Sequence, residues 1–531
     1  MREEFKENAI EPKRETVMHD ICPEPIVCEA AGEYTLPDYR PEIRKILHLR
    51  ATVMPAGHYQ NGGRAEFAGT VQHTILYADG EGKLAAVTLD ADYDFSHPLP
   101  EEGEYTPTVD SMVENTTCRL SGPRKLSLRT RVRNLVHLWQ EEEVAPVIRG
   151  MGSEKDLSSL EKQSERMESM TQACGSSGAF TLTSTVHLDS PAVGAEAVWA
   201  GGSLLISECR AQEGGCLCRG HAWVRCLLHE EGGLPYAVRE KIPFEQLVPI
   251  AEANERSSCI GYGRLLAAEV ELLPGEGEEN GSLVFTVSAE VDACATGTQI
   301  CNPVSDLYST DYEMSCHYRP LTATRSLGAV MGNYTVSGSR ARSECDCENA
   351  ATVVDADGRM EIHSVQVERG RAVVCGKLLT VAILTAAEEE AMPLLSAEVA
   401  VPFRIETELR PAPGTQPRFD CHGELISARA RIEQNAITVD CEIALALSAY
   451  EDETRQVLAE AEPDRSLPVE HRGNRVYVVY PREEDTLFSV AARYHKSRAA
   501  IAAQNGLGEG VLAVSHMPAS LDGVHHLLIE D

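Results

Sequence analysis

Metal-binding residue types are plentiful in this chain, with 17 cysteines and 17 histidines. Two C-x-C pairs stand out, Cys216/Cys218 and Cys345/Cys347. Neither has a second matching pair at zinc-ribbon spacing, so no tetrahedral zinc site is expected and no metal or cofactor is assigned. In a reducing compartment the thiols serve as small core residues, whereas in an oxidised extracellular shell they can cross-link. The sequence leaves both open. His525 and His526 are adjacent, and neighbours on a strand point to opposite faces, so they do not share a metal. His221 and His229 flank an expected strand and are not assigned as ligands.

Catalytic arrangements are absent from the text. There is no G-x-S-x-G, no Walker sequence, no H-E-x-x-H and no G-x-G-x-x-G after a strand. Carboxylates are too numerous for one pair to stand out as a glycosidase acid and nucleophile. No catalytic residue is therefore named, and the chain is not expected to be an enzyme.

Two sets of residues suggest binding instead. On the segment around Leu126, Leu128 and Val132 alternate with Arg129, Arg131 and Arg133, so one strand face is apolar and the other cationic. A plain solvated face explains this stripe, and an acidic partner surface is its functional alternative. Near the C-terminus, Tyr477-Val478-Val479 reads as a short strand and is followed by Asp485-Thr486-Leu487. Asp485 or Thr486 suits a helix N-cap. Leu487, Val490, Ala491 and Tyr494 then recur at helical spacing. Ser497 caps a second helix holding Ile501 and Asn505, Gly506 and Leu507 end it, and Leu527-Leu528-Ile529 closes with a strand.

The elements ahead of this module repeat. Gly69 opens a strand through Val71 and Leu76, a turn at Asp79-Gly80-Glu81-Gly82 follows, and a return run from Leu84 ends near Phe95. Gly220 opens the same frame through Trp223 and Leu227, with a turn at 230–233 and a close at Pro243-Phe244. Gly376 opens the third through Leu378 and Ile383, with an acidic turn at 388–390 and a close at Pro402-Phe403. Such runs around polar turns read as β-hairpins with a buried face. Further strand pairs follow at 265–273 and 283–291, and at 425–432 and 437–447, suggesting a second hairpin per repeat.

Composition limits the rest. At 531 residues the chain exceeds one core, and 43% hydrophobic content with 5% aromatic predicts cores of Val, Leu, Ile and Ala. A net charge of −34 disfavours nucleic acid and anionic lipid. It serves solubility, or docks a basic partner. No run approaches the roughly 20 apolar residues of a membrane span. The start, Met1-Arg2-Glu3-Glu4-Phe5, lacks a signal-peptide pattern, which predicts a cytoplasmic chain without membrane insertion.

The three frames and the Gly122-Pro123-Arg124-Lys125-Leu126 segment resemble the SPOCS domain of SipL-like spore-coat assembly proteins of spore-forming Firmicutes. The C-terminal words, Y-x-V, D-T-L-x-x-V-A-x-x-Y and S-x-x-x-I-x-x-x-N-x-L, are similar to a LysM domain. The resemblance implies a mainly β protein with three sandwich-like SPOCS modules and a small strand-helix-helix-strand LysM module. Its divisions are a tail at 1–19, repeats at 20–139, 173–318 and 321–465, linkers at 140–172 and 466–474, and the module at 475–531.

LysM domains bind N-acetylglucosamine polymers in a shallow groove, which here would involve Asp485, Thr486, Leu487, Asn505 and Leu507. Glu484 replaces the usual glycine, and the 523–527 segment carries extra residues. The family implies a scaffold of coat assembly at the forespore surface in the mother-cell cytoplasm. Its implied partners are the coat's morphogenetic ATPase and other coat proteins. Peptidoglycan binding through the groove is the alternative, and the oligomeric state stays open.

Overall fold

A computed structural model describes residues 15–21, 24–54, 56–100, 103–151, 153–230, 233–275, 279–387, 393–470, 473, 475–507, 521 and 524–530, with 154 and 155 as backbone only. The tail through 14, residues 231–232 of the second turn, the acidic turn at 388–390 and Gly523 lie outside the described residues.

The chain is mainly β, arranged in several sheets. The first repeat holds β1 (Thr16–Ile21), β2 (Ile26–Thr35), β3 (Ile43–Val53), β4 (Gly57–Asn61), β5 (Arg64–Asp79), β6 (Leu84–Pro98), β7 (Tyr105–Gly122) and β8 (Lys125–Glu143). A connector supplies β9 (Val147–Ile148), α1 (Glu154–Ser158) and β10 (Leu160–Ser164). The second repeat holds β11 (Met167–Ser176), β12 (Phe180–His187), β13 (Glu196–Gln212), β14 (Gly215–His229), β15 (Tyr236–Pro249), β16 (Ser258–Leu273) and β17 (Ser282–Cys301). After β18 (Val304–Ser309), the third holds β19 (Tyr312–Ala341), β20 (Ala350–Glu368), β21 (Arg371–Ala386), β22 (Leu394–Glu406), β23 (Arg418–Ile432) and β24 (Ala436–Pro468). The C-terminal module is β25 (Val476–Val479), α2 (Leu487–Arg493), α3 (Arg498–Gln504) and β26 (Leu527–Glu530).

One topology recurs three times. A meander forms the first sheet of each repeat: β3-β5-β6, β13-β14-β15 and β20-β21-β22. A long last strand, β8, β17 or β24, forms the second sheet with the strand before it on one edge. Its other edge is covered by the repeat's opening strands, β1 and β2, β11 and β12, or the unbroken β19. Strict alternation on these last strands explains the sandwich. Leu283, Phe285, Val287, Ala289, Val291, Ala293 and Ala295 on β17 are all buried. Side chains two apart share a face, so this row must meet another apolar face. It meets Cys216, Val224, Ile242 and Phe244 of the facing sheet in one core.

The frame glycines have a specific job. Gly220 sits opposite Phe244 and Gly376 opposite Phe403. A Cβ on Gly220 would lie 1.8 Å from the Leu205 carbonyl oxygen, and one on Gly376 would lie 2.6 Å from the Phe403 ring. The aromatic covers the space that the missing side chain leaves. In the first repeat the residue opposite Gly69 is Tyr93, while the expected Phe95 pairs with Phe67. The frame there closes two residues earlier than its text suggests.

The three repeats meet face to face. Leu76, Leu227 and Ile383 each stand seven residues after their frame glycine. They join one buried cluster with Leu47, Val354 and Leu394. The opening strands meet similarly through Val17, Met167 and Leu321. The 140–172 stretch, expected as a linker with one helix, carries β9, α1, β10 and the start of β11. Its short apolar residues find partners elsewhere in sequence: β10 pairs with β18, and β9 runs parallel to β24.

Candidate functional site

The C-terminal module forms from local signals. Thr486, not Asp485, is the N-cap of α2: its side chain accepts from the Ser489 backbone N–H at 3.1 Å. Ser489 Oγ accepts in return from the Thr486 N–H at 2.9 Å, closing a capping box. Ser497 caps α3 by accepting from the Ala500 N–H. Leu487, Val490, Ala491 and Ile501 fill the core between the helices and the β25–β26 pair, and Leu507 packs on its margin.

The remaining groove residues are tied inward. Asp485 accepts from the Arg482 N–H at 3.0 Å and pairs with Arg493 at 2.8 Å. The backbone hydrogen bond, with help from Arg493, holds its carboxyl below the ordinary value. Asn505 Nδ2 donates to the Ile501 and Leu528 carbonyls at 2.9 and 2.7 Å, and its Oδ1 accepts from the Leu528 N–H at 2.6 Å. The structure thus brings the five residues into one small module, where their polar atoms bond to their own chain.

The outward surface of the module is different. Val478 pairs directly with Leu528, and Val476, Val478, Leu528 and Tyr480 are exposed at 57, 52, 38 and 73%. On another side the module is anchored to β18 and the connector. Tyr308 packs edge-on against Phe488 at 5.1 Å and donates its hydroxyl to the Lys496 carbonyl at 2.8 Å. Arg498 pairs with Glu161 at 2.9 Å.

Arg129, Arg131 and Arg133 lie far along the sequence from this module, on the exposed face of β8, with Leu128, Thr130 and Val132 buried behind them. Arg131 pairs with Glu114 at 3.1 Å, and Arg129 stands 4.0 Å from Glu29. The stripe is therefore partly neutralised by neighbouring strands of its own sheet.

A feature that sequence reasoning missed is a cavity of about 1290 Å³ lined by all three repeats. His422 of the third repeat faces Asp110 of the first at 3.5 Å, and the Tyr262 ring of the second stands edge-on to His422 at 5.1 Å. His137 pairs with Asp20 at 2.9 Å and approaches Asp420 at 3.6 Å. Burial alone would raise Asp110, yet His422, together with Arg264 and His137, outweighs it and the carboxyl falls below its ordinary value. Burial lifts Glu424 and Asp420 above theirs. The lining thiols Cys118 and Cys421 are pushed up to about 11 and about 12 by burial, the reverse of what a nucleophile needs. No single segment carries a readable signal for this cavity, because its groups come one or two per strand from three repeats.

The thiols, whose state the sequence left open, are found both bonded and free. Cys174 and Cys294, opposite each other on β11 and β17, form a disulfide. Cys216 and Cys218, which have no second C-x-C pair at zinc-ribbon spacing, meet lone cysteines from other strands inside the second sandwich: Cys216 groups with Cys209 and Cys259, and Cys218 contacts Cys209. Among the described residues no helix is long and apolar enough to cross a membrane. Compared with known proteins, the chain matches no family model, no curated protein and no solved structure.

Proposed function

We propose that this chain is a non-catalytic assembly scaffold of the spore envelope, of the SipL-like kind, with three SPOCS-type repeats and a LysM-type C-terminal module. In this reading it acts at the forespore surface from the mother-cell cytoplasm and docks the coat's morphogenetic ATPase and other coat proteins. One observation carries it. The polar atoms that a glycan would need at Asp485, Thr486 and Asn505 bond within the module, while Val476, Val478, Leu528 and Tyr480 face outward. A flat apolar strand surface suits protein contact better than a hydroxyl-rich sugar. Three repeats sealed by shared apolar contacts supply the rigid body that a scaffold needs.

The test uses the full chain and a purified morphogenetic ATPase of this class. Val478→Asp with Leu528→Asp is expected to weaken binding by at least about tenfold, while sedimentation with insoluble peptidoglycan retains neither form. Retention of the unaltered chain on peptidoglycan, with no ATPase binding, would instead support glycan recognition.

A further inference from the structure

Four thiols converge at one end of the second sandwich. Cys216 and Cys218 begin β14, and the strand period of two places both on its inner face, where each is fully buried. Cys209 on β13 is the direct partner of Cys218, with their sulfurs 3.2 Å apart. Cys259 comes from β16 in the facing sheet and puts its sulfur 2.8 Å from that of Cys209. The sulfurs of Cys209, Cys216 and Cys259 all lie within 4.8 Å of one another. Gly261, two residues beyond Cys259, keeps the space open. A Cβ there would stand 3.1 Å from the Cys218 sulfur and 3.4 Å from that of Cys209.

Ordinary core packing does not require these residues. Counted from the frame glycines, the positions of Cys216 and Cys218 are occupied by Ala65 and Phe67 in the first repeat and by Ala372 and Val374 in the third. All four of those are buried and apolar. Disulfides do not account for the grouping either, since Cys209 is shared by both close contacts and can bond only one of them. A tetrahedral ion takes all four. With metal–sulfur bonds of about 2.3 Å its ligand sulfurs stand roughly 3.8 Å apart. Cys209 opens to that spacing from 2.8 Å to Cys259 and 3.2 Å to Cys218, and the Cys218 sulfur, outside the mutually close group of the other three, swings in to complete the set.

We propose that Cys209, Cys216, Cys218 and Cys259 bind one divalent ion of the zinc class as four thiolates. Each thiol releases its proton to solvent as its sulfur–metal bond forms. The ion ties β13 and β14 to β16 and so clamps the two sheets of the second repeat at one end. Cys209 and Cys259 are half-buried, which gives the ion a route in from solvent. No catalytic role follows, because four protein ligands close the coordination shell.

Cobalt titration of the reduced, chelator-treated full chain tests the site. One equivalent is expected to give sulfur-to-cobalt charge-transfer bands with intense tetrahedral absorption, displaced by zinc. Cys216→Ser and Cys259→Ser should each lower affinity at least tenfold, whereas Cys226→Ser, a buried thiol on the same strand outside the cluster, should leave it unchanged. A second measurement does not depend on variants. Zinc should protect Cys209 and Cys259 of the unaltered chain from alkylation and leave Cys375 as reactive as before. Absence of the bands, their persistence in both cluster variants, or equal alkylation with and without zinc would each overturn the proposal. So would peptide mapping that finds Cys209 bonded to Cys259 in chain kept under reducing conditions.

Discussion

Asn505 shows how a side chain that looks like a binding residue can be a fastener. Its amide makes three hydrogen bonds, two of them to Leu528 on the closing strand. Those bonds hold β26 beside α3, and the two to Leu528 lie at an exposed position, where water replaces a lost partner and only the net value of each bond is at stake. Asn505→Ala is expected to destabilise the module by about 1–2 kcal/mol. Amide exchange along 527–530 should quicken while exchange in the three sandwiches stays as it was; unchanged exchange at Leu528 would contradict this assignment. The residue was legible in the sequence as a helix end after Ile501. Its partner was not, because Leu528 lies 23 positions away.

Strands and hairpins were readable where apolar residues alternate without interruption. β17 and the return strand β22 are such cases, with Val399, Val401, Phe403 and Ile405 all buried on β22. β20 was hidden because its middle carries Asp355, Asp357, Gly358 and Arg359, none of them a strand former. Gly358 lies 2.4 Å, measured from a Cβ built on it, from the Leu379 carbonyl oxygen, so close strand approach rather than propensity decides that element. The same logic gives a prediction at Gly220. A methyl group there would push into the Leu205 carbonyl and force β13 away from β14. Gly220→Ala is expected to cost about 1–3 kcal/mol, read from the midpoint of urea unfolding. A midpoint equal to that of the unaltered chain would remove the close-approach argument.

Between the repeats, charge completes what apolar contact begins. Arg225 of the second repeat reaches Asp355 at 3.1 Å and Asp357 at 2.6 Å in the third. His48 and Arg50 of the first repeat approach the same Asp357 at 3.3 and 3.2 Å. Burial would raise the Asp357 carboxyl, but Arg225, Arg50 and His48 outweigh it and hold it well below its ordinary 3.8. A carboxyl depressed in the native state contributes stability that is fully present above its unfolded value. That contribution is lost as pH falls from about 4 through the native value. Arg225→Met leaves two buried carboxylates short of their counter-charge, so it is expected to cost about 3–5 kcal/mol at neutral pH. Its melting temperature should also fall less steeply with acid than that of the unaltered chain. Equal acid slopes would show that the network does not govern the joint between repeats.

The sequence by itself determined the β class, the threefold recurrence of the frame and the two short C-terminal helices. Each of these is written in local periodicity, caps and turn residues. Tertiary structure decided which repeats touch, that Asp355 and Asp357 belong inside, and that Asn505 reaches Leu528. It also decided that Cys216 meets Cys209 and Cys259. The physical reason is one of range. Hydrophobic alternation acts between neighbours two to four residues apart, whereas a buried charge or a thiol cluster is satisfied only by groups the fold brings in from distant strands.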